Sequence, residues 1–231
     1  MPDKSPGTVL VTGGASGLGA AIVRAVLDAG GQPVVIDLRQ PQADGVDHEL
    51  VDLSDGRAAE RAVRDLAERA GGLDAVVTAA GTDACGVLSD VPAEVWEKVV
   101  AVNLLGTAAV VRAALPFLER SNGKVVTVAS TLGLKPLSDA TAYSASKFGV
   151  VGFTRALTLE LAGRVGVTLL IPGGMQTAFF DDRDPQYKPG ADAKLNRPED
   201  VAAAVLFALR QPPGCELREL VITPSTEPSW P

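Results

Sequence analysis

Tyr143 and Lys147, in Tyr143-Ser144-Ala145-Ser146-Lys147, stand four residues apart at the start of an apolar-striped segment, and Ser130 closes a β-branched run thirteen residues before Tyr143. Residues at i and i+4 share one helix face, so a phenol and an ammonium so spaced can meet around one ligand. Taken alone, Tyr-x3-Lys is an ordinary surface pair, the lysine stem lying along a half-buried ring. With a serine hydroxyl and a nucleotide-binding turn in the same chain, the three types suit proton transfer coupled to hydride transfer. Moving a hydride from an alcohol carbon to a nicotinamide leaves a proton that a base must take and, in reverse, an acid must return. Tyrosine does this near neutrality only if its pKa falls from about 10. An ammonium at about 4 Å is worth up to about 4 kcal/mol at an effective dielectric of 20 before desolvation, and one pKa unit is about 1.36 kcal/mol. We therefore expect Lys147, with the positive nicotinamide nearby, to draw the Tyr143 phenol down and Ser130 to hold the substrate oxygen in line with it. Lys147 could also bond the nicotinamide ribose.

The nucleotide turn is Thr12-Gly13-Gly14-Ala15-Ser16-Gly17-Leu18-Gly19, set between the strand-like Val9-Leu10-Val11 and an amphipathic helix pattern containing Ile22 and Val26. Glycine also ends strands in any tight βα turn, but between strand and helix it lets backbone approach a pyrophosphate at the helix N-terminus. The second strand ends at Asp37, 18 residues beyond Gly19. A carboxylate there accepts hydrogen bonds from both adenosine ribose hydroxyls and repels a 2′-phosphate. Asp37 argues for NAD over NADP, whereas Arg39, just beyond it, could fold over a 2′-phosphate.

Positioning these residues requires a doubly wound α/β fold. Seven short apolar runs centre on Val9–Val11, Val34–Ile36, Glu49–Val51, Ala75–Val77, Val125–Val128, Val167–Leu170 and Leu220–Ile222, with helix-patterned segments between them. That alternation predicts a single-domain Rossmann fold over residues 1–231, a seven-stranded, mostly parallel sheet flanked by helices. Pro92 and Pro198 suit first helical turns, the second followed by Glu199 and Asp200. Residues 178–197, with Phe179, Phe180 and an Asp/Arg cluster, read as a substrate-side loop, and 224–231 as an irregular tail. Trp96, Val99 and Val100 fit a core stripe, His48 a solvated position, and Cys85 a small packing site.

On the Thr-Gly-x3-Gly-x-Gly turn and the Tyr-x3-Lys pair, the chain resembles the short-chain dehydrogenase/reductase family from Thr8 to about Thr177. The resemblance implies a catalytic tetrad of Asn103, Ser130, Tyr143 and Lys147, with Asn103 distorting its helix so that a backbone carbonyl holds water in a relay to the lysine. It also implies cofactor contacts at Gly13, Ser16, Gly17, Leu18, Gly19 and Asp37. Asp52 and Leu53 would lie at the adenine, Ala80 and Gly81 beside the ring system, and Pro172, Gly173 and Thr177 at the nicotinamide. Thr78-Ala79-Ala80-Gly81 departs from the family's Asn-Asn-Ala-Gly and loses an amide that ties neighbouring strands. The chain also lacks the Asp-Gly-Gly that follows the last strand in many relatives. The helix containing Trp96 and the one after Tyr143 match the pair through which relatives form homodimers or homotetramers.

Composition narrows the rest. A net charge of −7 gives no basic field for nucleic acid, and two cysteines with one histidine, His48, offer no metal-ligand spacing. No uninterrupted apolar run approaches the roughly 20 residues of a membrane helix, and Met1–Pro6 leaves no room for a secretion signal before the first strand, so a cytoplasmic protein is expected. The expectation is an NAD-dependent oxidoreductase interconverting a small secondary alcohol and a ketone. The alternatives are an NADPH-dependent biosynthetic ketoreductase and a nucleotide-binding regulatory protein without catalysis.

Overall fold

The computed structural model describes residues 5–230; the expectations for Met1–Lys4 and for Pro231 lie outside them. Among the described residues seven strands form one sheet: β1 Thr8–Thr12, β2 Gln32–Asp37, β3 Asp47–Leu50, β4 Ala75–Thr78, β5 Lys124–Val128, β6 Gly166–Pro172 and β7 Glu219–Ile222. Their order is β3-β2-β1-β4-β5-β6-β7, and every pairing is parallel rather than mostly so. Val9–Val11, Val34–Ile36 and Val76–Val77 are fully buried, as strands covered on both faces must be.

The connections are α1 Gly17–Asp28, α2 Gly56–Arg69, α3 Ala93–Val100, α4 Thr107–Ser121, α5 Thr141–Glu160 and α6 Pro198–Leu209. Side chains of α1 and α6 fill one face of the sheet around Val9, Val35 and Val126. Those of α2, α4 and the end of α5 fill the other around Leu10, Val34 and Val125. Pro198 occupies the first turn of α6, ahead of Glu199 and Asp200. Helices α3 and α4 join through a π-helical turn, Ala101–Gly106. The joined stretch Ala93–Ser121 is long and apolar enough to cross a bilayer by composition, yet half of its most apolar window is buried in the protein.

Two packing expectations are corrected. Of the stripe Trp96, Val99 and Val100, only Val99 is buried; Trp96 is half-exposed because its indole donates to Thr141 Oγ1 (3.1 Å) at the start of α5. His48 is half-buried in β3, with Nδ1 3.1 Å from the Val46 carbonyl.

Candidate active site

Because the strands are parallel, β1, β4, β5 and β6 deliver their carboxyl ends to one edge, and order reverses between β1 and β4. Such a switch point opens a crevice above the sheet. Gly13 adopts φ +74°, and a Cβ there would sit 2.8 Å from the Ala80 backbone. At Gly19 a Cβ would sit 2.1 Å from the Gly13 carbonyl oxygen, so only glycine closes this turn. Ser16, at the N-cap of α1, makes no side-chain capping bond, and the first turn holds no acidic residue. The helix therefore presents N–H groups and a positive dipole end that neither the Ser16 side chain nor a first-turn acid neutralises. Leu18 buries its side chain and offers only backbone. Gly17 faces Thr177, whose Cγ2 lies 3.4 Å from a Cβ built on the glycine, so the first turn and the segment after β6 meet.

Asp37 Oδ2 accepts from Ala15 N (2.9 Å) and Oδ1 from Arg39 N (3.0 Å). The Arg39 guanidinium donates to Ser16 Oγ (3.2 Å), so both candidate discriminators converge on the glycine turn. Asp52 closes the turn into α2, accepting from Ser54 N (2.9 Å) and Oγ (2.8 Å), and pairs with Lys98 (3.3 Å). The Ser54 hydrogen bonds, then Lys98, hold its carboxyl below the usual range. Leu53 is buried beside Gly106, where a Cβ would meet its carbonyl oxygen at 2.8 Å. The missing strand-tying amide has a substitute in Thr12, whose Oγ1 accepts from Ala80 N (3.2 Å).

Ser130, Tyr143, Lys147 and Asn103 come together beyond Gly81. The Ser130 hydroxyl stands near enough to Tyr143 to favour its phenolate. Lys147, only 4 % exposed, donates to the Val128 carbonyl (3.0 Å) and lies 5.5 Å from the centre of the Tyr143 ring. A Cβ built on Gly81 would be 3.5 Å from Asn103 Oδ1 and 3.7 Å from Lys147 Nζ. The protein groups by themselves shift these pKa values away from the expected tuning. Burial pushes Tyr143 up to about 12 against the Ser130 hydroxyl, and burial brings Lys147 down to about 8. Desolvation opposes both charged forms, and the carbonyl partner of Lys147 is neutral.

Asn103 lies in the π turn, where one helical bond pattern is interrupted. Its amide clamps Thr82, donating to Thr82 O (2.9 Å) and accepting from Thr82 N (2.8 Å), and also donates to Ser146 Oγ (3.0 Å). Ser146 Oγ in turn donates to the Tyr143 carbonyl (2.7 Å). The Asn103 carbonyl accepts from Thr107 Oγ1 (2.8 Å), using one of its two lone pairs. Ser146 was not among the expected site residues, although its i+3 spacing from Tyr143 is a signal that could have found it.

The segment after β6 reaches over this cluster. Phe179 packs its ring 5.8 Å from that of Tyr143, and Arg183 stacks on Phe179 and Phe180 at 5.1 and 4.6 Å. Arg183 pairs with Asp83 at 2.6 Å, with side chains 19 % and 7 % exposed, while its Nε is buried without a hydrogen-bond partner. The Cys85 thiol lies 3.3 Å from the same carboxylate, and burial, then the Asp83 charge, push it up to about 11. Nothing local marks Asp83 and Arg183 as neighbours, since 100 residues separate them. Pro172 and Gly173 are buried at the end of β6.

The geometry has counterparts among known proteins. The short chain dehydrogenase family matches residues 7–188. An uncharacterized oxidoreductase of Staphylococcus aureus is 32 % identical over 226 residues, covering 93 % of this chain and 96 % of the relative. The L-fucose dehydrogenase of Mus musculus is 32 % identical over 239 residues, covering 95 % and 88 %. Among solved structures, the alcohol dehydrogenase of Thermococcus sibiricus complexed with 5-hydroxy-NADP superposes with TM-score 0.81 at 26 % identity, covering 94 % of this chain and 95 % of that one. The ligand-free aldohexose dehydrogenase of Thermoplasma acidophilum shares the fold, with TM-score 0.85 at 22 % identity and coverage of 94 % and 92 %. With its family match over most of the chain and relatives covered nearly end to end, the protein belongs to the short chain dehydrogenases, a family of NAD(P)-using oxidoreductases.

Proposed function

We propose that this oxidoreductase interconverts a secondary alcohol and a ketone with NAD, using Tyr143 as general acid/base. The observation that carries the reading is buried Lys147, its ammonium 5.5 Å from the centre of the Tyr143 ring, with the Ser130 hydroxyl near the same residue. The residues fit a dinucleotide. The uncapped start of α1 would take the pyrophosphate, Asp37 the adenosine ribose, and Lys147, with three donors and one carbonyl contact, the nicotinamide ribose. When bound, the nicotinamide supplies the hydride acceptor or donor. Ser130 would orient the substrate oxygen, Tyr143 Oη would take or return its proton, and the Lys147 ammonium would favour the phenolate. Asn103 would hold Thr82 and, through Ser146, the Tyr143 backbone.

A hydroxyl-rich substrate such as an aldose suits Arg183, because its buried Nε has no hydrogen-bond partner and a polar group so placed discriminates against ligands that leave it unpaired. A relative 32 % identical bears the name L-fucose dehydrogenase. The runner-up, an NADPH-dependent ketoreductase, is favoured by the Arg39 guanidinium over Ser16, where a 2′-phosphate would meet it. Exposed Leu105 and Phe148, on the π turn and α5, support assembly with further copies of this chain.

The test is Tyr143→Phe, assayed with aldoses and simple secondary alcohols and titrated with NADH and NADPH beside the wild type. Turnover should fall by at least about 10²-fold with cofactor affinity nearly intact, NADH binding more tightly than NADPH. Near-normal turnover would remove the role of Tyr143. Tighter NADPH binding would pass the reading to Arg39.

A further inference from the structure

Among the described residues beyond β7, 223–230, there is neither helix nor strand, yet the segment is tied down. It turns at Pro224, whose carbonyl accepts from Glu227 N (3.0 Å). Glu227 Oε2 then accepts from Gly174 N (3.1 Å), and Oε1 from Ser229 N (3.2 Å). Ser229, 2 % exposed, places Oγ 2.6 Å from Glu227 Oε1 and 2.7 Å from Thr131 Oγ1. Lys135 Nζ donates to the Pro228 carbonyl (3.2 Å). The irregular secondary structure was expected; the docking was not.

These bonds land on two segments of the candidate site. Thr131 follows Ser130 directly, and Gly174 belongs to the segment from Pro172 to Thr177 assigned to the nicotinamide. Two consecutive glycines, Gly173-Gly174, give that segment little stiffness of its own. On one side Asn196 holds it: Asn196 N donates to Gly174 O and Gln176 N to Asn196 O, both at 2.9 Å. On the other side stands the Glu227 carboxylate. A Cβ on Gly173 would lie 2.4 Å from Glu227 Oε2, so the glycine is what admits the carboxylate.

We propose that Glu227 is a positioning residue for the nicotinamide half of the cofactor, fixing the Gly173–Gly174 backbone while Ser229 ties the same tail to Thr131 beside Ser130. A charged acceptor on a backbone N–H is roughly twice as strong as a neutral one, and here it is directed at a glycine pair with little stiffness of its own. The inference rests on the assignment of residues 172–177 to the nicotinamide, so its test compares ligands with and without that ring.

The wild type, Glu227→Ala and Glu227→Gln are titrated calorimetrically with ADP-ribose and with the reduced cofactor the wild type prefers, and assayed for kcat. Glu227→Ala should weaken the reduced cofactor about tenfold and lower kcat, with ADP-ribose affinity within about twofold of wild type. Glu227→Gln keeps an oxygen acceptor for Gly174 N and should recover most of the loss. Equal weakening of both ligands, or none, overturns the proposal. If Glu227→Ala fails to fold, Gly173→Ala, which drives the carboxylate away, must give the same split between ligands. A wild type that binds neither ligand would instead overturn the cofactor reading, and this inference with it.

Discussion

Helices α1 and α2 both start at the carboxyl edge of the sheet, but they start differently. Asp55 caps α2, its Oδ1 accepting from Arg57 N (3.0 Å) and Ala58 N (2.9 Å). Ser16 occupies the same position before α1 in extended conformation (φ −154°, ψ 171°) and caps nothing. Two lysines repeat the contrast. Lys124 donates to the carbonyls of Ala208 (3.3 Å), Leu209 (3.0 Å) and Gln211, closing the C-terminal end of α6. Lys147 is more deeply buried and has one carbonyl. Where the fold alone is served, polar groups are satisfied from within the chain. Around the crevice they are left incompletely satisfied, which costs stability and reserves them for a ligand.

The largest effect expected from breaking this contrast is at Lys147. Unfolded, the lysine keeps its proton to about pH 10.5; folded, burial releases it near 8. The unfolded state therefore binds more protons between these values, and stability rises with pH across that window. Below pH 8 the full cost is carried, on the order of 3 kcal/mol at about 1.36 kcal/mol per unit. Tyr143 has the opposite sign: its folded pKa near 12 lies above 10, so its contribution is lost as pH rises from 10 to 12. Lys147→Met should lower turnover by about 10²–10⁴-fold while raising Tm at pH 7 and flattening the rise in stability between pH 8 and 10.5. Thermal denaturation against pH, beside kcat, checks both halves. A variant less stable than wild type at pH 7 would contradict the cost assigned to the buried charge.

Ser16→Asp should turn the α1 start into a copy of the α2 start. The carboxylate would accept first-turn N–H groups and complement the dipole, adding about 0.5–1 kcal/mol of stability. It would also set a negative charge where the pyrophosphate is proposed to lie, and cofactor affinity should fall by roughly 10²-fold. A higher Tm with unchanged calorimetric affinity would remove the α1 N-terminus from the cofactor site.

The same contrast explains what could be read from the sequence. The strands, the glycine turn and the Tyr143–Lys147 face rest on contacts between near neighbours, or on runs such as Val9–Val11 and Val34–Ile36 that must be buried wherever the chain places them. The substitute for the lost amide, Thr12 to Ala80, needed the register of β1 beside β4. Asp83 with Arg183, and Glu227 with Gly174, join residues 100 and 53 apart, and no local pattern announces them. The burial that raises Tyr143 was not legible either, because helical spacing gives a separation between charges but not the water each loses. Trp96 left the core for a similar reason: its stripe was visible, but the Thr141 hydroxyl that its N–H reaches was not.

The smallest effect falls where the chain serves only the fold. Asp55→Ala should cost about 1 kcal/mol, lowering Tm by about 2–4 °C for a chain of this size. Asp55→Asn keeps an acceptor oxygen for Arg57 N and Ala58 N and should restore most of it. Neither change should alter kcat or cofactor affinity, because the α2 cap bonds only its own first turn. Asp52, three residues earlier, is the point at which that independence can fail. It holds the turn into α2 through Ser54 and pairs with Lys98 of α3, so a displaced helix start could carry into the proposed adenine position. Cofactor affinity that drops in Asp55→Ala and returns in Asp55→Asn would show that the two helix starts are coupled, and that capping α2 serves the crevice as well as the fold.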